Sequence, residues 1–285
     1  MMLIKYHEPL KYHTTFRVGG PAEVYAEPET IADVKVLLRQ AKEQNKPFLV
    51  LGAGSNLLVS DEGFPGVVIA TGRLNHLSVS GDTIFAESGV LIARLLNFAV
   101  KYSLGGFEFL SGIPGNVGGV LAMNAGTKNQ AIFLVVKEVN VLDRNLKEQT
   151  LAKSEISFSY RSSSLLEYPF IISAVFGGVP TRKEEIKRKI TELMRQRIKI
   201  QPPRVYPSAG SFFKNPSGEP AGRLIELAGC KGWRSGGAVV SGKHANFILN
   251  TGNATANDIL QLAGKVQEAV YAKFGVRLEP EVKIV

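Results

Sequence analysis

The sequence predicts an α+β fold built in two parts, and three observations carry that expectation. Short β-rich runs outnumber helical ones and do not alternate with them as a regular βαβ array would. Helical periodicity is confined to a few amphipathic stretches that carry their own start and stop signals. The run QPPRVYP, residues 201–207, places three prolines in seven positions and divides a longer first part from a shorter second one.

The first helix is predicted in ETIADVKVLLRQAKEQNK. Thr30 can cap it with Asp33 three residues on, Ile31, Val34, Leu37, Leu38 and Ala41 form one apolar face, and the helix ends near Asn45. PFLVLGAGSNLLVSD then gives a short apolar strand entering a glycine turn. GVVIATG, HLSVSGDTIFAESG, VVKEVNVLDRNLKEQTL and FIISAVFGG are β-rich runs bounded by Gly, Asn and Asp. VLIARLLNFAVKYSL reads as a helix stopped by Gly105 and Gly106. RKEEIKRKITELMRQRIK, from Arg182 to Lys199, has Ile186, Ile190, Leu193 and Met194 at helical spacing and the i,i+4 pairs Glu184 with Arg188 and Glu185 with Lys189. Beyond the prolines, PAGRLIELAG is a short helix with Pro220 suited to its first turn and Gly229 to its stop. GGAVVSGKHANFILN reads as hairpin-like strands. TANDILQLAGKVQEAVYAKFG is a long helix capped by Thr255 with Asp258 and closed by Gly275.

With 285 residues, 45% hydrophobic and 21% charged, the chain has the composition of a soluble globular protein. Its single cysteine, Cys230, excludes an intramolecular disulfide framework and a cysteine zinc site. No signal-peptide pattern opens the sequence and no run of about 18 apolar residues occurs, so a cytoplasmic protein without a membrane span is expected. The net charge of +9 points to anionic partners. Nucleic acid is disfavoured, because the basic residues are not interleaved with stacking aromatics; most of the basic run is explained as a solvated amphipathic helix.

Two segments are glycine-rich, the first of them after an apolar strand. LGAGSNLL offers Gly52 and Gly54, but the sixth position of the dinucleotide fingerprint is Leu57 and no helix follows, so the Rossmann motif fails. An anion-binding nest with Ser55 and Asn56 and a plain tight turn both remain open. SGIPGNVGGVLAMNAG carries five glycines along an apolar path, a density that lets backbone approach a flat or phosphorylated ligand closely. Together they favour a large nucleotide cofactor. No metal-ligand spacing occurs among the four histidines. Ser211 in PSAGSFFKNP lies outside a nucleophile elbow, since Phe213 stands where the second glycine belongs.

LGAGSNLLVSDEGFPGVVI, GIPGNVGGVLAMNAG, SYRSS, PSAGSFFKNP, AGRLIELAGCKGWRSGGAVVSGKHANFILN and LEPEV, in that order, resemble the UDP-N-acetylenolpyruvoylglucosamine reductase family from about Thr14 to Val282. The resemblance implies an FAD-binding domain of the p-cresol methylhydroxylase or vanillyl-alcohol oxidase type over residues 1–200, with subdomains of about 1–75 and 76–200. A smaller α+β substrate domain would follow over 201–280, and a C-terminal strand, 281–285, would carry a catalytic glutamate. Non-covalent FAD would be held by Gly52, Ala53, Gly54, Ser55, Asn56, Leu57, Gly112, Ile113, Pro114, Gly115, Val117, Gly118, Gly119, Ala125, Gly126 and Ile172. The short connection after SYRSS, lacking a tyrosine-bearing insertion, implies the second subtype. AGTKNQAI and SYRSSSLL depart from the family pattern.

The implied reaction reduces the enolpyruvyl ether of UDP-N-acetylglucosamine to UDP-N-acetylmuramate with NADPH through FAD, in peptidoglycan precursor synthesis. Arg161, Ser211 and Glu281 match the catalytic three; Lys199, Asn215 and His244 match substrate-binding positions. Hydride addition to the methylene carbon pushes charge into the carboxylate, which a guanidinium such as Arg161 can hold. Ser211 would protonate the α-carbon. If GSFFKNP is extended, Ser211, Phe213 and Asn215 share one face while Phe212 and Lys214 point away, which disfavours Lys214 as the group that acidifies Ser211. The expected partners are the UDP-sugar and NADPH, and the expected state is a monomer. The rivals are another flavin oxidoreductase of the same fold and a non-catalytic nucleotide-binding module.

Overall fold

The computed structural model describes residues 1–127, 130–203 and 205–285. The chain forms two compact units: unit 1 comprises Met1–Ile4, Ala26–Ala53 and Val68–Arg197, and unit 2 comprises Lys5–Tyr25, Gly54–Val67 and Ile198–Val285.

Unit 1 contains a five-stranded sheet in the order Glu148–Ala152, Val136–Leu142, Phe170–Gly177, Thr83–Glu87, Leu77–Ser80, every neighbouring pair antiparallel. Two of its pairs, Leu77–Ser80 with Thr83–Glu87 and Val136–Leu142 with Glu148–Ala152, are hairpins of β runs that follow one another without an intervening helix. The edge hairpin turns at Gly81 and Asp82, where Gly81 has φ +56°. Thr83–Glu87 alternates, burying Ile84 and Ala86, whereas the central strand Phe170–Gly177 is buried almost throughout. Helix α1 (Ile31–Glu43) starts at the expected capping box: Asp33 N–H donates to Thr30 Oγ1 at 3.1 Å and Thr30 N–H to Asp33 Oδ2 at 3.0 Å. It buries Val34, Leu37, Leu38 and Ala41. Helix α2 (Ile92–Lys101) buries Ile92, Leu95, Leu96, Ala99 and Val100 at i, i+3, i+4, i+7 and i+8. It stops short of the glycines, at Ser103, which takes φ +57°. Helix α3 (Val117–Ala122) is a short turn in the second glycine-rich segment. In α4 (Lys183–Ile200), Ile186 is buried, Ile190 packs on the core of unit 1, and Lys189 pairs with Glu185 at 3.0 Å.

In unit 2 the strands Arg234–Ser235, Ala238–Val240 and Ile248–Asn250 form an antiparallel sheet, as the hairpin reading expects. Helices α5 (Ala221–Leu227) and α6 (Ala256–Phe274) share its core with Phe16, Phe212, Phe213 and Cys230. Burial pushes the Cys230 thiol up from its usual range, as befits a packing residue. Helix α6 has the predicted Thr255–Asp258 capping box, and Gly275 closes it in the left-handed conformation at φ +69°. Asp61 adds two acceptors: Oδ1 takes the Ala256 N–H at 2.8 Å and Oδ2 the Asn257 N–H at 2.9 Å. A carboxylate at a helix N-terminus satisfies donors that have no partner within the helix and meets the positive end of its dipole. Asp61→Ala is expected to lower unfolding stability by about 1–2 kcal/mol, read from the denaturant midpoint; an unchanged midpoint would show that these bonds are replaced by water at no cost.

Candidate functional site

The second glycine-rich segment is tied to the five-stranded sheet of unit 1 through Ser88, beside a bulge in the central strand. Between Ile171 and Ser173 the register of the central strand against Val136–Leu142 shifts, which leaves Ile172 as the extra residue. Its carbonyl accepts the Ser88 N–H at 2.8 Å, and the Ser88 carbonyl accepts the Gly118 N–H at 2.9 Å. Val117 N–H donates to Val90 O at 2.9 Å and Ile92 N–H to Gly115 O at 3.0 Å. Expected cofactor residues from distant parts of the sequence thus meet around Ser88. A Cβ on Gly118 would lie 3.0 Å from Ser88 Cβ, and one on Gly52 would lie 3.2 Å from Asn116 Oδ1, so these glycines sit where backbone must come close.

Among the described residues, the buried side-chain oxygens without a hydrogen-bond partner are Ser88 Oγ, Asn116 Oδ1 and Asn124 Oδ1. All three belong to these segments of unit 1. Buried polar atoms are normally paired, and orphans in and beside a glycine-rich segment are what a wall facing a polar ligand presents. The residues present therefore fit a nucleotide cofactor: glycine backbone for its flat and phosphorylated parts, and hydroxyl and amide groups for its polar edges.

Arg161 stands in the loop of a small hairpin, Phe158–Ser159 against Ser162–Ser163. Its φ is +58°, an uncommon conformation for a residue with a side chain. The hairpin is tied to the end of the glycine-rich segment: Asn124 Nδ2 donates to Ser159 O at 2.8 Å, and Ser163 Oγ lies 3.0 Å from the carbonyls of Leu121 and Ala122. The Arg161 guanidinium reaches Gly126 O at 3.5 Å and lies 4.9 Å over the Tyr160 ring. Ala125 N–H donates to Val120 O at 2.8 Å, which sets the turn into Gly126. Within the divergent AGTKNQAI run, Lys128 and Asn129 lie outside the described residues.

Unit 2 holds the remainder of the first glycine turn. Gly54 has φ +60°, and a Cβ there would fall 2.1 Å from His13 O, so no other residue fits without moving the backbone. After Ser55 and Asn56 the chain enters the strand Leu57–Leu58 and not a helix, in keeping with the failed Rossmann fingerprint. That strand pairs in parallel with Lys283–Ile284, while Asn56 O accepts the Lys283 N–H and Asn56 Nδ2 donates to Glu281 O, both at 3.0 Å.

Ser211 follows Gly210, which takes φ +76°. The alternation expected beyond it does not hold: Phe212 and Phe213 are both 1% exposed, and the segment is bent, with a single bridge between Phe213 and Pro280. The physical reason is the core of unit 2, which takes both rings at the cost of regular pleating. Phe212 O accepts the Glu281 N–H at 2.8 Å, so the backbones bearing Ser211 and Glu281 are directly joined. The Lys214 ammonium lies 3.4 Å from Glu279, in an ion pair that accounts for its charge without Ser211. Asn215 Oδ1 accepts the Ala221 N–H at 3.0 Å at the start of α5.

His244 is largely enclosed, and burial first, with the Lys231 charge adding to it, holds its pKa below the usual imidazole value. Its Nδ1 accepts the Asn246 N–H at 3.3 Å. Lys199 is an exposed residue near the end of α4. Sequence reasoning missed Ser88 and Asn124, which carry no spacing signal. It also missed Asn246, whose signal was an amide inside the apolar run ANFILN: Asn246 is 3% exposed and bonded to Phe212 and Phe213.

Residues 22–150 match the model of an FAD binding domain, and residues 201–285 match that of the UDP-N-acetylenolpyruvoylglucosamine reductase C-terminal domain. The chain is 46% identical over 280 residues to the UDP-N-acetylenolpyruvoylglucosamine reductase of Caldanaerobacter subterraneus subsp. tengcongensis, covering 98% of this chain and 92% of that one. Its fold is similar to the crystal structure of the UDP-N-acetylenolpyruvylglucosamine reductase of Thermus caldophilus, with TM-score 0.87 at 37% identity over 100% of this chain and 99% of that one. A solvent-stable cholesterol oxidase, 17% identical, shares the fold of 63% of this chain over 38% of its own, with TM-score 0.50.

The orphaned Ser88 hydroxyl gives a test of the cofactor wall. Ser88→Ala should leave the stability of cofactor-free protein unchanged or slightly raised while weakening FAD binding about tenfold, roughly the worth of one hydrogen bond, as measured by flavin fluorescence titration; undiminished affinity would remove Ser88 from the site. His244 gives a second. Its folded pKa lies below the unfolded reference of 6.5, so the unfolded chain binds the extra proton first. Stability is therefore full above that value and falls as pH drops below it. His244→Gln should flatten this part of the stability profile, followed by denaturant unfolding from pH 7.5 to 5.

Proposed function

The chain belongs to the UDP-N-acetylenolpyruvoylglucosamine reductase family, and from that premise we propose that it reduces the enolpyruvyl ether of UDP-N-acetylglucosamine to UDP-N-acetylmuramate, an oxidoreductase using FAD and NADPH in peptidoglycan precursor synthesis. Bound FAD would supply the two-electron redox chemistry that links NADPH to reduction of the alkene. The protein's own part concerns charge and a proton. As the methylene carbon gains hydride, negative charge flows through the α-carbon into the carboxylate. Arg161 holds that carboxylate: a guanidinium stays charged at every working pH and forks onto two oxygens, and its strained φ supports a fixed position.

Ser211 supplies the proton to the α-carbon. A hydroxyl is a weak acid, so it serves here because the receiving carbon is strongly basic and short-lived. Glu281 orients the reacting group beside it. The observation that supports this pairing most directly is the 2.8 Å bond from Glu281 N–H to Phe212 O, the carbonyl that follows Ser211. Asn215 and His244 contribute to UDP-sugar binding, His244 as a neutral imidazole whose lowered pKa keeps it uncharged near pH 7. Lys199 is assigned the same role on the motif match alone. Gly52–Leu57, Gly112–Gly119, Ala125, Gly126 and Ile172 line the FAD site.

In domain terms residues 1–200 serve FAD, 201–280 the substrate, and 281–285 return the glutamate. The chain works as a cytoplasmic monomer of the shorter subtype; among the described residues no helix is long and apolar enough to cross a membrane. The assignment of Ser211 is tested in half-reactions. Ser211→Ala should leave flavin reduction by NADPH nearly intact and slow reoxidation by the enolpyruvyl substrate by about three orders of magnitude, the scale of general acid catalysis. Equal losses in both steps would rule out proton donation by Ser211.

A further inference from the structure

We infer that Asn246 is the positioning residue for Ser211, holding the proton donor's segment in place through both edges of one peptide group. The inference rests on the reading of Ser211 as the donor. Asn246 Oδ1 accepts the Phe213 N–H at 2.9 Å and its Nδ2 donates to Phe213 O at 2.8 Å, while its own carbonyl accepts the Phe212 N–H at 2.7 Å. A side-chain amide with this pattern does for one residue what a neighbouring strand does for many. It is needed because the segment after Ser211 is not in a strand: both phenylalanine rings turn into the core, and ordinary pairing is reduced to the single bridge at Pro280. Without Asn246, the Phe213 N–H and C=O would be buried and unpartnered, and the segment would shift to find other partners.

The neighbourhood makes an amide unnecessary for packing. Phe212, Phe213, Ala245 and Ile248 surround the site in one apolar cluster, where a leucine of similar volume would fill the same space. What leucine cannot supply is direction. Gly210, at φ +76°, lets the chain pivot immediately before Ser211, so the position of the serine is set from the Phe212–Phe213 side, by Asn246 and by the Glu281 N–H on Phe212 O. Asn246 itself is anchored, since its N–H donates to His244 Nδ1 at 3.3 Å.

The test uses FAD-loaded protein in anaerobic stopped-flow. Asn246→Leu should slow reoxidation by the enolpyruvyl substrate about 100-fold, the scale of a misplacement of about 1 Å, while flavin reduction by NADPH stays within about twofold, since the residue acts only on the protonation side. Asn246→Asp, which keeps the acceptor and loses the donor to Phe213 O, should fall between wild type and Leu. In the Ser211→Ala background, Asn246→Leu should add little further loss, because its effect passes through the serine. Equal slowing of both half-reactions, or full additivity with Ser211→Ala, would overturn the positioning role and leave a general structural one. If Ser211→Ala alone reoxidises normally, the reading of Ser211 fails; if that variant is slow but Asn246→Leu is normal, only the present inference fails. Should the leucine variant not fold, Asn246→Asp carries the test alone: reoxidation should slow several-fold while flavin reduction stays within about twofold, and wild-type reoxidation, or equal slowing of both half-reactions, would overturn the inference.

Discussion

The last seven residues of the chain are the seam on which unit 2 depends. Glu279 O takes the Lys214 N–H at 2.8 Å, Glu281 N–H goes to Phe212 O, Lys283 N–H goes to Asn56 O at 3.0 Å, and Ser60 N–H reaches Val285 O at 2.7 Å. One short extended segment thus satisfies backbone groups of two others that are distant in sequence, the turn from Gly54 to Ser60 and the run from Phe212 to Lys214. Buried peptide groups must find partners, and here each of these segments finds them in the chain terminus. Glu281, proposed above to act on the substrate, is fixed on this seam by the same bonds that hold the fold together.

Unit 1 solves a different problem. A ligand-facing wall needs backbone that approaches closely and polar atoms left with spare capacity, and both are costly in a packed sheet protein. The ladder between the central strand and Thr83–Glu87 runs on one step, with Ile172 O accepting the Ser88 N–H, and the Ser88 carbonyl in turn accepts the Gly118 N–H. Two non-glycine residues here take the left-handed conformation, Asn124 at φ +41° and Arg161 at φ +58°, and Asn124 bonds the hairpin that bears Arg161. Strained conformations persist where surrounding bonds over-determine them, and here those bonds come from α3 and the turn that follows it.

The local signals were the legible ones. The Thr30–Asp33 and Thr255–Asp258 boxes, the Gly275 stop and the 238–250 hairpin all follow from a few adjacent residues, and the structure has each of them. Helix α2 ended early because Ser103 could take the positive φ for which glycine was expected. The alternation after Ser211 failed because periodicity describes a strand with one buried face, whereas the core of unit 2 takes Phe212 and Phe213 alike. Ser88 was invisible and Asn246 showed only as an amide in an apolar run for a related reason: each bonds partners far away in the chain, Ile172 and Gly118 for one and Phe212 and Phe213 for the other. Ile172, expected from the motif resemblance alone, stands at a register shift that no composition or spacing rule reports.

On the proposed reading of Ser211 as proton donor, the contrast between Lys214 and Ser211 bears on which variable the site would control. A protein that needed a stronger acid at this place had a lysine three residues away, yet that ammonium is paired with Glu279. The peptide groups next to the serine are instead held on three sides, by the Asn246 carbonyl, the Asn246 side chain and the Glu281 N–H. A weak acid held in position suits a carbon that is strongly basic for a short time: proton transfer is then downhill once it is in reach, and what limits the step is whether the donor is already there. A tuned pKa would add driving force that such a carbon does not need, and a charged neighbour would compete for the carboxylate that Arg161 is proposed to hold. Position is the property that the hydrogen bonds of this segment secure.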